Sequence, residues 1–171
     1  MIDRRRAIRL ALAAAALPAV CLLPPSAARA QQSFQRFIPF LVDLPGWKGQ
    51  KPDGVTIEMS GSSMITATRE YERGDARLNA QVITGPAAQG ALAATASGIK
   101  IETSDARMST SAIDGLQVSR TFTISNKSGA ILVALGPSAM FSLSFNGIAE
   151  DEALTLARKF NWKAIQAAIP K

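Results

Sequence analysis

Residues 116–145 most constrain what this chain can fold into. They read LQVSRTFTI, SNKSG, AILVAL, GPSA, MFSLSF, three apolar-patterned segments separated by two clusters of turn residues. Successive side chains of a strand point to opposite faces, so period-two alternation marks a strand with one buried face. Leu116, Val118, Phe122 and Ile124 are in phase in the first segment, and Phe141, Leu143 and Phe145 alternate with serines in the third. Residues 130–135 are apolar throughout, as suits a central strand covered on each side. The pattern predicts a three-strand antiparallel meander.

Upstream, VTIEM (55–59) reads as a short strand closed by the turn SGSS. MITATREY and ARLNAQVI then form a hairpin around Arg73-Gly74-Asp75, with Ile65, Ala67, Arg69 and Tyr71 on one face. GIKIETS and ARMSTSAI supply further strands. Three segments have helical spacing: 34–44, with Pro39 as a kink; the Ala-rich 86–96, with proline at its start; and 146–169. In the last, Glu150, Asp151 and Glu152 fill the first turn, which complements the helix dipole, and Ala153, Leu156, Ala157 and Phe160 form the inner stripe. The expected fold is α+β: a mostly antiparallel sheet of about six or seven strands with N-terminal, middle and C-terminal helices packed on it.

The chain starts with MIDRRRAIR, continues with a 14-residue apolar run (10–23) and reaches Ala28-Arg29-Ala30 before Gln31. Basic start, short apolar middle and A-x-A end are the parts of a cleaved secretory signal, and the run is too short to span a bilayer, which takes about 20 residues. The arginine cluster suits either the twin-arginine or the general export route. Cys21, the only cysteine, lacks the small preceding residue that lipid attachment requires. The expectation is a leader over 1–30, one globular domain over 31–171, and a periplasmic product with no integral membrane segment.

Removing the leader takes five of the 19 basic and one of the 13 acidic residues, which leaves a net charge of +2. That is no basic face for nucleic acid. The remaining 141 residues contain neither Cys nor His, so disulfides, thiol nucleophiles, Ser-His-Asp chemistry and the commonest zinc and haem ligands are out of reach. No cofactor or metal is expected, and no catalytic residues.

Several motifs dissolve on inspection. Ser97-x-x-Lys100, Ser144-x-Asn146 and Lys127-Ser128-Gly129 resemble the set used by penicillin-binding enzymes, but their order is wrong and Ser97 closes a helix instead of opening one. Gly85 and Gly90 have P-loop spacing, yet Ala91 and Leu92 stand where Lys and Ser/Thr belong. Glu70 and Glu72 share a strand face as paired carboxylates could, but flanking Arg69, Arg73 and Arg77 favour cross-strand ion pairs. Arg69 and Arg120 are different: each falls in phase with apolar neighbours on a strand, where a guanidinium needs a partner. Either they form structural ion pairs or, with Tyr71, they anchor an anion in a pocket between sheet and helix. Arg69, Tyr71 and Arg120 are therefore the candidate binding residues.

The C-terminal run from Ile113 to Ile165, a meander followed by a helix with an acidic start and a KFNW end, resembles small exported proteobacterial proteins and the PsbP-like accessory domains. The resemblance implies an α/β/α architecture and an accessory or binding role, and it transfers no site residues. The expected function is a non-catalytic accessory or binding protein of the cell envelope; a carrier of a small apolar or anionic ligand comes second, a cofactor-independent enzyme third. The partner is an envelope protein or a small ligand. Intact-mass measurement of the exported protein should give a chain that begins at Gln31 without lipid; a diacylated Cys21 would overturn the assignment.

Overall fold

The computed structural model describes residues 34–95, 98 and 100–170. The expected leader over 1–30, with Cys21, Ala28 and Ala30, lies outside the described residues, as do Gln31 and Ser97. The elements in chain order are β1 (Lys48–Gly49), β2 (Asp53–Met59), β3 (Ser62–Arg73), β4 (Ala76–Thr84), α1 (Pro86–Thr95), β5 (Ile101–Glu102), β6 (Ala106–Ile113), β7 (Leu116–Thr123), β8 (Ser128–Gly136), β9 (Ala139–Asn146), α2 (Glu150–Ala157) and α3 (Trp162–Ala167).

The expected α+β class holds, but the sheet has nine strands, not six or seven. β5 is the paired remnant of the expected GIKIETS strand, cut to Ile101–Glu102, while β1, two residues long and too short to carry a periodic signal, is the strand the pattern does not show. Strand order is β1-β3-β4-β9-β8-β7-β6-β5, with β2 also on the outer side of β3. Every pairing is antiparallel. β2, β3 and β4 form one meander and β5 to β9 another. They join where β9 pairs with β4, with Leu78 opposite Phe145 and Val82 opposite Phe141.

Alternation sets one face against the core. Ala67, Tyr71, Leu78, Ala80, Val82, Val118, Ile131, Val133, Phe141 and Leu143 are all buried to within 2 % exposure. α2, α3 and the segment before β1 cover this face. The ring of Phe141 lies 4.9 Å from Phe160 and 6.5 Å from Trp162, and Tyr71 meets Phe160 edge-on at 6.3 Å. The opposite face takes α1, which packs on β3, β4 and β9. The Thr95 carbonyl at its end accepts from Gln117 Nε2 at 3.3 Å, and Gln117 points away from its core neighbours Leu116 and Val118. Ser142, expected on a solvated face, is buried on the α1 side, whereas Ser144 beyond the helix is exposed.

Two helical expectations need correction. Residues 34–44 do not form one helix: Phe34 and Gln35 are helical, but Ile38–Phe40 is a 3-10 turn, because Pro39 has no N–H to continue an α-helix and its ring crowds the preceding turn. Phe37 and Leu41 are still buried. The C-terminal pattern breaks into α2 and α3 at residues 158–161. The Asn161 side chain accepts from the Ala164 N–H and so starts a new helix, and Phe160 turns into the core between the two.

Candidate functional site

Arg69 lies on β3 among Ala67, Tyr71 and the other core positions. Its side chain is 12 % exposed. Nε donates to the Gln50 carbonyl at 2.8 Å, Nη1 donates to the Leu41 carbonyl at 2.7 Å, and Nη2 pairs with the Asp43 carboxylate. The guanidinium also sits 5.2 Å from the centre of the Tyr71 ring. Tyr71 is fully buried, and its hydroxyl donates to the Val42 carbonyl at 2.7 Å. Together the two side chains hold the segment from Leu41 to Gln50 against the sheet edge. Gly49 is part of the fit, since a Cβ there would stand 2.6 Å from Arg69 Nη2.

Burial away from water pushes the Tyr71 phenol up to about 12, with the Arg69 cation opposing that shift. Arg73, two residues further on, covers the Trp47 ring at 4.3 Å and reaches Glu152 of α2 at 2.5 Å. This end of the sheet is a structural junction in which all three Arg69 nitrogens and the Tyr71 hydroxyl are bonded within the chain, while the buried Trp47 Nε1 has no acceptor.

Arg120 on β7 is in the opposite situation. Four inter-strand steps separate β7 from β3, about 19 Å at the usual spacing, so the three candidate residues do not form one site. The Arg120 side chain is 24 % exposed. Its one ion-pair partner among the described residues is Glu150, whose Oε1 lies 3.6 Å from Nη1, beyond hydrogen-bond range. Its Nε is buried and has no acceptor. Arg120 lies in an open groove of about 230 Å³ lined also by Lys100, Glu102, Arg107, Ser109 and Glu150. Arg107 and Lys100 both face Glu102, at 3.4 and 4.0 Å.

β6 and β7 position the groove: Ser109 is the cross-strand partner of Arg120, and Glu150 comes from the first turn of α2. The sequence presents Glu150 as a helix-dipole acid, and its second role beside Arg120 leaves no local signal because the two residues are 30 positions apart.

Two other clefts each contain an arginine paired within the chain. Near Glu70 and Asn79, Arg77 donates to the Gly74 carbonyl and stands 3.6 Å from Glu72, as the cross-strand ion-pair reading expects. Between α2 and α3, Arg158 pairs with Asp114 at 3.2 Å. Lys127 ends the turn before β8 and Ser128 opens the strand, and the Arg73-Gly74-Asp75 tripeptide spans the β3–β4 turn with Gly74 at φ +58°. Among the described residues no three of the Asp and Glu side chains stand together as metal ligands would. No protein family, curated protein or solved structure matches the chain, so no role is carried over from a relative.

Replacing Arg69 by Met should lower the unfolding free energy in urea by about 2–3 kcal/mol, since two carbonyls and a carboxylate lose their donor. Tyr71→Phe should cost about 1 kcal/mol at neutral pH and should also change the alkaline limb. The unfolded phenol ionises near 10 and the folded one near 12. Its contribution is therefore complete below pH 10 and lost as pH rises toward 12, so the Phe variant should lose less stability than the parent across that window.

Proposed function

We propose that the chain is an exported, non-catalytic accessory protein of the cell envelope that binds an acidic group of its partner at Arg120. The observation that supports this reading is the donor deficit of that side chain. A guanidinium offers five N–H donors, and a three-quarters buried one that lacks acceptors is costly. A carboxylate or phosphate brought to the groove would supply acceptors that Glu150, at 3.6 Å, does not. Arg69 is no rival for this role, because its three nitrogens are already bonded within the chain.

The size of the groove favours partner docking over carriage. A carrier encloses most of its cargo in a pocket of about 300–1,000 Å³. The Arg120 groove, at about 230 Å³, is open to solvent and has room for one end of a ligand, such as an acidic side chain or a chain-terminal carboxylate. The resemblance of the C-terminal half to PsbP-like accessory domains points the same way. No helix among the described residues is long and apolar enough to cross a membrane.

Titration of the protein with sodium succinate and with inorganic phosphate, followed through the Arg120 Nε resonance, tests the proposal. A saturable shift is expected. It should vanish in Arg120→Met, which should still unfold within about 1 kcal/mol of the parent because it removes an ill-satisfied charge. Glu150→Gln should tighten binding about fivefold by removing the competing carboxylate. Absence of any saturable shift in the parent, or a shift that survives in Arg120→Met, would refute the assignment.

A further inference from the structure

β2 is an edge strand of unusual form. All seven of its residues pair in unbroken register with β3, from Asp53 opposite Thr68 to Met59 opposite Ser62. Among the described residues no strand pairs with its other side. Edge strands are normally blunted by lysine, proline, a bulge or short length. β2 has no Lys, Arg or Pro and no bulge, and its one interior charge, Glu58, is out of phase with its apolar row. The far edge is blunted by its shortness, since β5 is two residues long and one of them is Glu102, whereas the Lys51-Pro52 pair before β2 leaves seven paired residues uninterrupted.

The two faces of β2 differ as well. Gly54 lies under Phe34, whose ring would be 2.5 Å from a Cβ at that position, so this face is covered from within the chain. Val55, Ile57 and Met59 point the other way and are 48, 40 and 64 % exposed, half of the large hydrophobic side chains left exposed among the described residues. A bare hydrogen-bonding edge beside a bare apolar row fits an added strand, which would satisfy both.

We infer that the added strand is β2 of a second copy of this chain. An antiparallel pair related by a two-fold axis at Thr56, the midpoint of the strand, engages all seven residues of both copies. Val55 then faces Ile57 of the other copy, Met59 faces Asp53, and Glu58 faces Gly54. No like charges oppose one another, and the apolar rows of the two copies merge into one patch. Two nine-stranded sheets become a single continuous sheet across the two-fold axis, the self-complementary arrangement that closes after two subunits. The strand-to-strand contact is small against that of a permanent dimer, so association is concentration-dependent. The contact stands apart from Arg120, which lies toward the opposite edge of the sheet.

Sedimentation velocity of the purified protein from about 10 to about 500 micromolar tests the inference. The weight-average mass should rise toward twice the monomer, and hydrogen exchange at the β2 amides should slow in parallel. Ile57→Lys and Met59→Lys, both at exposed positions, should leave the circular dichroism spectrum unchanged and hold the protein monomeric across the range. Arg120→Met should dimerise like the parent. A parent that stays monomeric throughout, or a dimer that persists in both lysine variants, would overturn it. A β2 edge protected only when a different protein is added would overturn it too, and would leave the Arg120 reading untouched.

Discussion

The guanidinium of Arg69 organises one end of the molecule. Its three bonds to Leu41, Asp43 and Gln50 fix a segment with almost no regular hydrogen bonding of its own, a 3-10 turn and a two-residue strand. That segment delivers Phe37, Leu41, Leu44 and Trp47 to the core. A charge on a core strand is expensive unless its donors are met, and here two backbone carbonyls and a carboxylate of the covering segment accept from its three nitrogens. The cost of placing an arginine there and the need to anchor a turn-rich segment offset each other. Tyr71 repeats the device with a single hydroxyl, and Arg73 extends it to α2.

Against that background Arg120 is an anomaly of satisfaction, not of position. Both arginines lie in phase with apolar strand neighbours, and both approach a carboxylate. One has hydrogen bonds at every nitrogen, and the other has an ion pair at 3.6 Å and a buried Nε without an acceptor. The difference comes from what covers each strand end: an irregular segment rich in free carbonyls over β3, and the start of a helix over β7. The first turn of a helix presents N–H groups, which cannot accept from a guanidinium.

The sheet was legible because alternation is a local property. The phases of Ile65 to Tyr71, of Leu116 to Phe122 and of Phe141 to Phe145 all place their residues on the observed core face. β1 was not legible, since two residues carry no period, and the GIKIETS segment was read as a strand although only Ile101–Glu102 of it pairs. The 3-10 turn at Ile38–Phe40 and the break before Trp162 show helical spacing overridden by local chemistry, a proline in one case and an asparagine cap in the other. For the candidate residues, sequence identified both arginines as needing partners but could not tell them apart. Backbone carbonyls bear no residue signature, so the partners of Arg69 at Leu41 and Gln50 were invisible, and Glu150 read only as a dipole acid.

The join between the two meanders has a consequence for the order of assembly. β4 finds its outer neighbour only in β9, the last strand of the chain, with α1 and four strands intervening. Contacts of such long sequence separation close slowly, because loop-closure entropy is paid before the pairing returns it. In a chain that emerges N-terminus first, the β2–β4 meander forms early, with the apolar side of β4 and the hydrogen-bonding edge that β9 will occupy both open. It stays in that state until β9 arrives. A chaperone or export machine that shields this half-sheet would act on β4, and the interval it must cover is set by the time the β5–β9 segment takes to appear and fold back.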